Sequence, residues 1–312
     1  MFEALLCPCC GAGPARSYPA LMAPFIADHV LGARPGRAEL LACGACGFRW
    51  FKDRFDAAET SRLYAGYRGE AYFAARRRHE FWYTRGVNGS GGAPAAVAAR
   101  RAAVLAAVAD WGGGTVERVL DYGGDRGQFM PPELGRERVV YEISGAEPVA
   151  GVRLAKSRAE LGAGGFDLVL CSNVLEHVSD PGALMDELRA LGRPGALIVL
   201  SVPWERFSLA CVPCRGALRS AYEAWLGLML AAGPLSTAVD FVSVGCKVKL
   251  GLVPPLGFVK LHEHINFFGP DSLRALLAGH GLEVVDCRPT LNPGLASYAT
   301  SLSCAARNPP GA

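Results

Sequence analysis

Residues Thr115–Phe129 have the sequence T-V-E-R-V-L-D-Y-G-G-D-R-G-Q-F, and this stretch decides the fold. Its apolar run stops at Asp121, and Gly123, Gly124 and Gly127 follow. Glycines permit positive φ and let the backbone approach a ligand closely, while a helix that starts after them offers unpaired N–H groups. The stretch therefore predicts a strand, a tight ligand-binding loop and a helix.

The charges of this loop indicate which kind of ligand it holds. Asp121 and Asp125 flank it, and two carboxylates repel a pyrophosphate but attract a ligand that carries ammonium and sulfonium groups. The dinucleotide pattern G-x-G-x-x-G fails because Asp125 stands at its second glycine, and no G-x-x-x-x-G-K-S/T loop is present. The loop therefore favours a zwitterionic or cationic cofactor.

The stretch L-D-Y-G-G-D-R-G-Q-F resembles the first motif of class I S-adenosylmethionine-dependent methyltransferases, usually D-x-G-x-G-x-G. Asp121, Gly123 and Gly127 match this motif, and Asp125 replaces its middle glycine. The resemblance implies S-adenosylmethionine as the cofactor, with the matching residues, Gly124 and Asp125 around it. Two outcomes stay open for the departure: Asp125 reaches the ammonium group of the cofactor, or the protein binds the cofactor without methylating.

A second match to this family lies further along the chain. F-D-L-V-L at 166–170 predicts a buried parallel strand, and C-S-N-V-L-E-H-V-S-D-P after it is similar to the family segment V-L-E-H-x-x-D-P. Cys171, Ser172 and Asn173 fall in the loop after that strand, where the carboxyl ends of strands face cofactor and substrate. His177 recurs in the family pattern but is not assigned as a base, because local backbone can satisfy a histidine at a helix start.

Glu142 stands near the carboxyl end of a predicted second strand, 138–143. A carboxylate at that place accepts hydrogen bonds from a ribose diol in nucleotide-binding sheets, and Glu142 follows Gly127 by fifteen residues. It is predicted to contact the cofactor, with a surface carboxylate as the alternative. The next possible strand, 151–154, follows so soon that the loop Ser144–Gly151 is predicted to replace the helix of this crossover.

Two C-x-x-C pairs lie near the N-terminus, each followed by glycine, and they are Cys7 with Cys10 and Cys43 with Cys46. Four thiolates close a tetrahedral shell around zinc and leave no open coordination position, so the pattern predicts a structural zinc ion. Cys9 is the spare thiol of the first pair, and residues 18–36 are predicted to form an inserted loop. The segment resembles the zinc-binding domain that precedes the methyltransferase domain in sugar C-methyltransferases.

The third match is L-H-E-H-I-N-F-F-G-P-D-S-L at 261–273. It is similar to the aromatic-H-E-H-aromatic segment of the sugar C-methyltransferases, with Leu261 in place of the usual tyrosine. The resemblance implies that His262 or His264 acts as base at the methylated carbon, and a histidine oriented by a carboxylate, here Glu263, has a suitable pKa. A structural role for each is the alternative. H-E-H alone makes a poor zinc site, because a third and a fourth ligand are not within sequence reach.

Tyr67 is the predicted substrate contact in the polar helical stretch 57–85. It belongs to L-Y-A-G-Y-R-G-E-A-Y at 63–72, and the resembling enzymes carry a similar Y-x-x-x-Y region over the reaction site. Packing of its ring between domains is the alternative interpretation.

Residues 206–259 do not fit the alternation of strand and helix, and they are predicted to form an insertion that serves as a lid or a substrate platform. The apolar run 221–232 predicts a helix too short to span a bilayer, and 239–252 predicts a strand. Docking of this insertion on a membrane surface or on a partner stays open. The pair Cys211 and Cys214 has no second pair nearby, so no metal or redox role is assigned to it.

Composition argues against several classes of protein. The 312 residues are 51% hydrophobic, so a large core can form, and a net charge of +3 with a pI of about 8.3 is too mild to predict nucleic-acid binding. No secretory signal is recognised and no uncharged apolar run reaches about eighteen residues, so a cytoplasmic protein is expected. Its eleven cysteines are then expected to be free thiols or metal ligands rather than disulfides.

Together these patterns predict an α/β protein: a doubly wound, Rossmann-like methyltransferase sheet with a small N-terminal zinc ribbon and an inserted lid. The predicted domains are a zinc ribbon (1–56), a helical connector and linker (57–94), a methyltransferase domain (95–205 and 260–307) and the insertion (206–259). The expected activity is S-adenosylmethionine-dependent methylation of a small molecule, which the resemblance implies is a sugar or nucleotide-linked saccharide, at carbon or hydroxyl.

Two alternatives to this activity stay open. One is O- or N-methylation of another metabolite, and the other is a cofactor-binding protein that does not methylate and uses its zinc ribbon as an interaction module. The sequence does not set the oligomeric state.

Overall fold

The computed structural model describes residues 6–13, 16–89, 92–112, 114–162, 165–205, 215–250, 253–254, 256–291 and 300–309. Its strands are, in chain order, β1 (Arg16–Met22), β2 (Arg37–Ala42), β3 (Arg49–Phe51), β4 (Arg118–Tyr122), β5 (Glu137–Tyr141), β6 (Arg153–Ala155), β7 (Phe166–Ser172), β8 (Gly192–Pro203), β9 (Lys260–Leu261), β10 (Asn266–Phe267), β11 (Glu283–Leu291) and β12 (Thr300–Arg307). Its helices are α1 (Ala57–Tyr64), α2 (Glu70–His79), α3 (Arg85–Gly89), α4 (Pro94–Asp110), α5 (Pro181–Leu191), α6 (Gly216–Ala231), α7 (Gly233–Leu250) and α8 (Pro270–Gly279), with a π-helical turn at Ile26–Val30 and a 3-10 turn at Arg158–Leu161.

The larger sheet has seven strands in the order β11-β12-β8-β7-β4-β5-β6. The five strands from β8 to β6 in that order are parallel, and β12 runs antiparallel between β8 and β11. Side chains of α5 and α8 bury one face of the sheet, while Ala107 and Trp111 at the end of α4 bury the other. β7 is buried along almost its whole length, as the central strand of a sheet covered on both faces must be. The predicted doubly wound α/β sheet is confirmed.

The helix predicted after the glycine loop is absent, and residues 123–136 between β4 and β5 form turns and loop. Gly127 has a φ of 68°, which is incompatible with a right-handed helix, and Pro131 and Pro132 lack the N–H groups that a helix would need there. The prediction is wrong because the apolar pattern after Gly127 is outweighed by these two prolines. The loop predicted between β5 and β6 is confirmed, so in the part of the chain that the structure describes neither crossover carries an α-helix.

The smaller sheet has five strands in the order β10-β3-β2-β1-β9 and joins two distant parts of the chain. β1, β2 and β3 form an antiparallel unit, β9 pairs parallel with β1, and β10 pairs antiparallel with β3. The H-E-H segment therefore connects the two edge strands of the N-terminal sheet. The inserted loop predicted at 18–36 is wrong in its first part, because Ala20 and Leu21 of β1 are buried in a core that includes Leu226 of α6.

The part of the insertion that the structure describes contains two helices. The predicted apolar helix is confirmed as α6, but the strand predicted at 239–252 is wrong, since α7 covers Gly233–Leu250. Its valines favour a strand locally, yet Asp240 and Ser243, three residues apart, are both buried on one helical face, and Asp240 binds Lys260. The pair Cys211 and Cys214 lies outside the described residues.

Two places among the described residues have membrane-spanning potential. By length and composition alone, the stretch Arg85–Asp110 could cross a membrane, and α6 with α7, which are bent by 117°, would count as one further span at most. Arg100 of the first stretch lines the cavity described below, as expected for a helix that belongs to the folded domain.

A disulfide joins Cys287 of β11 to Cys304 of β12. The two residues lie directly opposite each other in the antiparallel register, with their Cα atoms 4.0 Å apart. The expectation of free thiols or metal ligands is therefore wrong for this pair. Sequence spacing could not reveal it, because the register of the hairpin brings the two thiols together.

Candidate functional site

A cavity of about 1020 Å³ opens at the carboxyl ends of β4, β5, β7 and β8. The loops that follow these strands form one part of its lining. Further lining comes from α1 and the turn after it, from α4, from the segment between β9 and β10, and from β11 and β12. Ligands of open α/β sheets bind at this edge because the loops there diverge and leave a crevice. The sequence motifs at 121–127, 142, 172–173 and 263–264 all meet in this one cavity.

The glycine loop turns sharply beneath the cavity. Gly123 has a φ of 69°, and a Cβ atom there would lie 2.5 Å from the side chain of Val174, so glycine is required on two grounds. Asp125 has a φ of 56°, which explains why the family motif has glycine at its position and why aspartate, which tolerates this region, can replace it. Its Oδ2 accepts a hydrogen bond from Gln128 Nε2 at 2.9 Å. The departure from the motif therefore preserves the path of the loop.

Asp121 is 3% exposed, and it lines the cavity from the end of β4. Burial raises its pKa from the ordinary 3.8 to about 7, and the nearby carboxylates of Glu142 and Asp125 add to the rise. A Cβ on Gly124 would collide with the carboxyl group at 2.2 Å, so the loop packs directly against it. The site thus holds a carboxylate whose charge is costly until a cation neutralises it.

Asp121→Asn is expected to raise the melting temperature of the cofactor-free protein at pH 8 by roughly 3–6 °C, or about 1–2 kcal/mol. Because the folded pKa is raised, the stability that the protonated carboxyl contributes is complete below pH 3.8 and is lost as pH rises through about 7. The gain should therefore be smaller at pH 5 than at pH 8. Thermal unfolding of both proteins at the two pH values measures the difference, and an equal gain at both would contradict the assignment.

Glu142 is held by backbone N–H groups at the end of β5. The amide of Asp125 donates to its Oε2 at 3.0 Å, and the amide of Ser144 donates to its Oε1 at 2.8 Å. Each oxygen keeps a further lone pair, so the carboxylate is oriented and can still accept two hydrogen bonds from a diol. This geometry fits the contact predicted for Glu142, which lines the cavity.

The three residues predicted to follow the strand at 166–170 differ in their positions, because β7 extends to Ser172. Ser172 and Asn173 line the cavity, and Asn173 has a φ of 55° at the turn. Cys171 does not line it, because side chains alternate along a strand and its thiol enters the core beneath α5. Burial raises the pKa of the Cys171 thiol well above its ordinary value. Its predicted cofactor contact is therefore corrected to a packing role.

The two histidines of the H-E-H segment also lie in different surroundings. His264 lines the cavity, and its Nδ1 lies 2.7 Å from Glu205 Oε1. His262 is absent from the lining: its Nε2 bonds Glu80 Oε1 at 2.8 Å, and its Nδ1 accepts the N–H of Glu263 at 2.8 Å. His262 as base is therefore corrected to a structural role, since both its nitrogens are engaged away from the cavity.

Glu263 lines the cavity, but its carboxylate contacts neither predicted base. Arg76 donates to its Oε1 at 2.7 Å, and the hydroxyl of Tyr72 donates to the same oxygen. Burial opposes ionisation, but the charge of Arg76 and the other neighbours hold the pKa of Glu263 at about 2. The carboxylate that orients His264 is Glu205. The sequence analysis did not single it out because it follows β8, fifty-nine residues before His264.

Tyr67 and Tyr64 both line the cavity. Their ring centroids are 5.5 Å apart, and Tyr64 also stands edge-on to His177 at 5.8 Å. Burial raises the pKa of Tyr67 to about 12, so its hydroxyl stays protonated at neutral pH. The hydroxyl of Tyr64 is buried without a hydrogen-bond partner among the described residues. Tyr67 therefore lies at the cavity, where the prediction placed it, and Tyr64 lies beside it.

Glu176 and His177 were not predicted from the sequence to be site residues. Both line the cavity from the loop after β7, and one ligand atom of each lies within 4.8 Å of one on His264. Burial raises the pKa of Glu176 to about 7, while burial and His264 lower that of His177 to about 3. The signal that could have found them was their adjacency in the family motif V-L-E-H.

Three arginines, Arg68, Arg100 and Arg288, also line the cavity without having been predicted. Arg100 of α4 stacks over the ring of Phe129, with its guanidinium carbon 4.5 Å from the centroid, and burial lowers its pKa. Arg68 sits in a left-handed turn with a φ of 62°. Arg100 could have been found as a charge within the alanine-rich apolar pattern of α4.

The four predicted zinc ligands converge at one point. The Sγ atoms of Cys7, Cys10, Cys43 and Cys46 all lie within 4.8 Å of one another. Phe48, next to the second pair, packs on Phe268 at 4.9 Å, and this cluster belongs to the core on the α5 and α8 face of the large sheet. The cysteine cluster is thus fixed against the body of the protein.

A family model described as a methyltransferase domain matches residues 93–286, more than half of the chain. The sequence is 32% identical over 123 residues to a ubiquinone biosynthesis O-methyltransferase of Caulobacter sp. (strain K31), covering 39% of this chain and 36% of that protein. It is 39% identical over 94 residues to an uncharacterized methyltransferase of Mycobacterium sp. (strain KMS), covering 27% of this chain and 37% of that protein. The chain therefore spans well under two thirds of the length of these relatives.

Two solved structures illustrate the likeness in three dimensions. The 1,6-didemethyltoxoflavin-N1-methyltransferase of Burkholderia thailandensis, with bound S-adenosylhomocysteine, aligns with 87% of this chain and 96% of its own at 17% identity and a TM-score of 0.47. An S-adenosylmethionine-dependent methyltransferase of Mesorhizobium loti aligns with 69% of this chain and 98% of its own at 18% identity and a TM-score of 0.40. By the match over residues 93–286, the chain belongs to the methyltransferase-domain family.

Proposed function

We propose that the protein transfers the methyl group of S-adenosylmethionine to a hydroxyl oxygen of a small molecule bound in the cavity, and that its N-terminal cysteines hold a structural zinc ion. One observation carries the first part. A single cavity contains Asp121 and Glu142 on the strand side, and Tyr64, Tyr67 and His264 on the side of α1 and the H-E-H segment. Cofactor-type carboxylates and groups suited to a polar acceptor therefore share one enclosed space.

The residues present fit the cofactor in their chemistry. The two lone pairs that Glu142 keeps suit a ribose diol, and the buried carboxylate of Asp121 suits a cationic methionine end. When bound, S-adenosylmethionine supplies an electrophilic methyl group on a sulfonium. The contribution of this chain is to hold the acceptor in line with that methyl group and to keep water out, because positioning supplies much of the rate in such transfers.

The residues that line the cavity near His264 indicate which chemical class of methyl acceptor binds there. A hydroxyl must lose its proton to become a good nucleophile, and His264, oriented by Glu205 at 2.7 Å, is the histidine of the segment that lines the cavity. Tyr64 and Tyr67 offer hydroxyl groups that can bind a polar acceptor. Oxygen is favoured over carbon because several matched relatives are O-methyltransferases. A sugar or nucleotide-linked saccharide is the acceptor that the resemblance suggests, and its hydroxyls satisfy the same requirement.

The zinc proposal rests on the donor set. Four thiolates within 4.8 Å of one another match a closed tetrahedral zinc shell, which leaves no position for a substrate. The ion would stabilise the N-terminal sheet and take no part in the reaction. The cytoplasmic location stays a prediction that fits reduced cysteines at this site.

Calorimetry with S-adenosylmethionine and S-adenosylhomocysteine on the zinc-loaded protein tests the cofactor part. We expect both to bind, and a lack of binding by either would sink the proposed function. Transfer of a labelled methyl group to a panel of sugars, nucleotide-linked sugars and phenols then tests the acceptor part. Labelling at carbon rather than oxygen in the product would return the assignment to C-methylation.

Glu142→Gln is expected to weaken S-adenosylmethionine binding by about 10–100-fold, because a hydrogen bond to a charged group is worth about 1.5–3 kcal/mol. The amide also turns a donor toward one of the backbone N–H groups that now hold the carboxylate. Glu137→Gln, at the opposite end of β5, is the matched control and should leave the affinity unchanged. Equal affinities in the two variants would remove Glu142 from the cofactor site.

A further inference from the structure

The H-E-H segment has no third metal ligand within sequence reach, but the fold brings two from another element. Glu176 and His177 follow β7, His264 lies between β9 and β10, and one ligand atom of each lies within 4.8 Å of the others. Two imidazoles and a carboxylate are the donor set of catalytic metal sites that keep open positions. We propose that Glu176, His177 and His264 bind a divalent first-row transition-metal ion and that this ion binds the acceptor hydroxyl.

Both histidines are fixed by a hydrogen bond at Nδ1. His177 Nδ1 donates to the carbonyl oxygen of Glu263 at 2.9 Å, so its Nε2 carries the lone pair and lies 3.7 Å from Glu176 Oε1. His264 Nδ1 donates to Glu205 Oε1 at 2.7 Å, which assigns the lone pair to its Nε2. Metal-binding histidines almost always have such a carbonyl or carboxylate partner on the second nitrogen, because it sets the tautomer and the ring orientation.

Glu176 supplies an independent observation that points to a ligand. Its side chain is 2% exposed, it lines the cavity, and neither carboxylate oxygen has a hydrogen-bond partner among the described residues. A buried carboxyl group without partners is costly, and a metal ion is one of the few ligands that satisfies it fully. An acidic cluster on an exposed surface would not carry this cost.

The geometry needs only a small adjustment. Ligand atoms bonded at about 2.0–2.1 Å around a tetrahedral ion lie about 3.4 Å from one another. The three side chains are within 4.8 Å, so shifts of about 1 Å, within the range of small torsional changes, complete the site. Three protein ligands leave at least one coordination position open toward the cavity. That position is the one an acceptor oxygen would take.

The chemistry rests on the proposed function and specifies how its histidines act. A hydroxyl bound to a divalent ion has a lowered pKa, so its O–H bond breaks and the proton passes to solvent water. The oxygen electron pair forms the new O–CH3 bond, and the S–CH3 bond breaks with its electron pair remaining on sulfur. The products are a methyl ether, S-adenosylhomocysteine and one proton. His264 is then a metal ligand and not a base.

Manganese binding to the zinc-loaded full chain tests the site, because Mn²⁺ prefers nitrogen and oxygen ligands and leaves the cysteine cluster to zinc. Electron paramagnetic resonance of free Mn²⁺ should show one ion bound per chain. Glu176→Gln and His264→Gln should each weaken it by about tenfold or more. His262→Gln changes the neighbouring histidine, whose nitrogens face Glu80 and the backbone, and should bind like the wild type.

Binding of Mn²⁺ that is equal in the wild type and in His264→Gln would overturn the proposal, as would a complete lack of binding. His264 is partly exposed at the cavity, so this variant remains informative even if the buried Glu176→Gln does not fold. Calorimetry with S-adenosylhomocysteine separates the two proposals. Mn²⁺ binding without cofactor binding would sink the proposed function alone, and unchanged methyl transfer by chelator-treated protein that retains its zinc would sink the metal inference alone.

Discussion

Replacing Cys43 by alanine is expected to release the N-terminal zinc ion and to abolish methyl transfer. Cys43 directly follows β2, and the sheet that contains β2 ends at β9 and β10, which hold the segment of His264. A structural zinc ion contributes about 10–16 kcal/mol in small zinc-binding peptides, as much as the whole stability of a typical domain. Loss of the ion should therefore disorder this sheet and the cavity wall attached to it. Zinc content, hydrogen exchange of β1 to β3 and methyl transfer measure the three effects.

Cys9→Ala is the matched control for this experiment. Cys9 is buried beside the same cluster but is not one of the four cysteines whose sulfur atoms converge. This variant should retain one zinc ion and most of the activity. Full zinc content in Cys43→Ala, or loss of zinc in Cys9→Ala, would show that the four ligands are assigned incorrectly.

His264→Gln is expected to lower kcat/KM by about a hundredfold or more, since removal of the acceptor proton contributes about 10²–10⁴-fold in comparable reactions. The glutamine keeps a polar side chain of similar length at the cavity, so the cofactor affinity should change little. Steady-state kinetics and calorimetry with S-adenosylhomocysteine together separate a chemical defect from a folding defect.

His262→Gln provides the contrast within the same three residues. His262 bonds Glu80 and the backbone of Glu263, so its loss should reduce stability while kcat falls far less than in His264→Gln. A larger loss of kcat in His262→Gln than in His264→Gln would show that His262 takes part in the reaction, against the assignment made from the geometry. Equal, undiminished rates in both variants would eliminate the segment from the chemistry.

The parts of the site that could be predicted are those that local sequence controls. Asp121, Gly123 and Gly127 share a short motif in which each residue type has a backbone or charge requirement. Asp121 and Gly123 line the cavity together, whereas Gly127 shapes the loop through its positive φ and does not line the cavity, so its predicted cofactor contact is corrected to a role in the turn. Glu142 could be predicted because a strand end fixes its direction. The cysteine cluster could be predicted because each pair needs only one tight turn.

The parts that could not be predicted depend on distant pairing. Glu205 and Glu176 meet His264 only because β9 and β10 attach to the edges of a sheet built by residues 16–51, a choice that no short pattern records. Two of the local errors have different causes. The helix after the glycine loop fails at two prolines, and α7 forms in place of a strand because Asp240 must reach Lys260.

The attachment of β9 and β10 to the N-terminal sheet bears on how chimeric enzymes of this kind should be built. A cut at residue 56 would leave β1 and β3 with unpaired edges and would separate His264 from the strands that hold its segment. The unit suitable for exchange between related proteins is therefore discontinuous, and it consists of residues 6–51 together with 260–267. Recombination at these limits moves the cysteine cluster and the His264 wall of the cavity together.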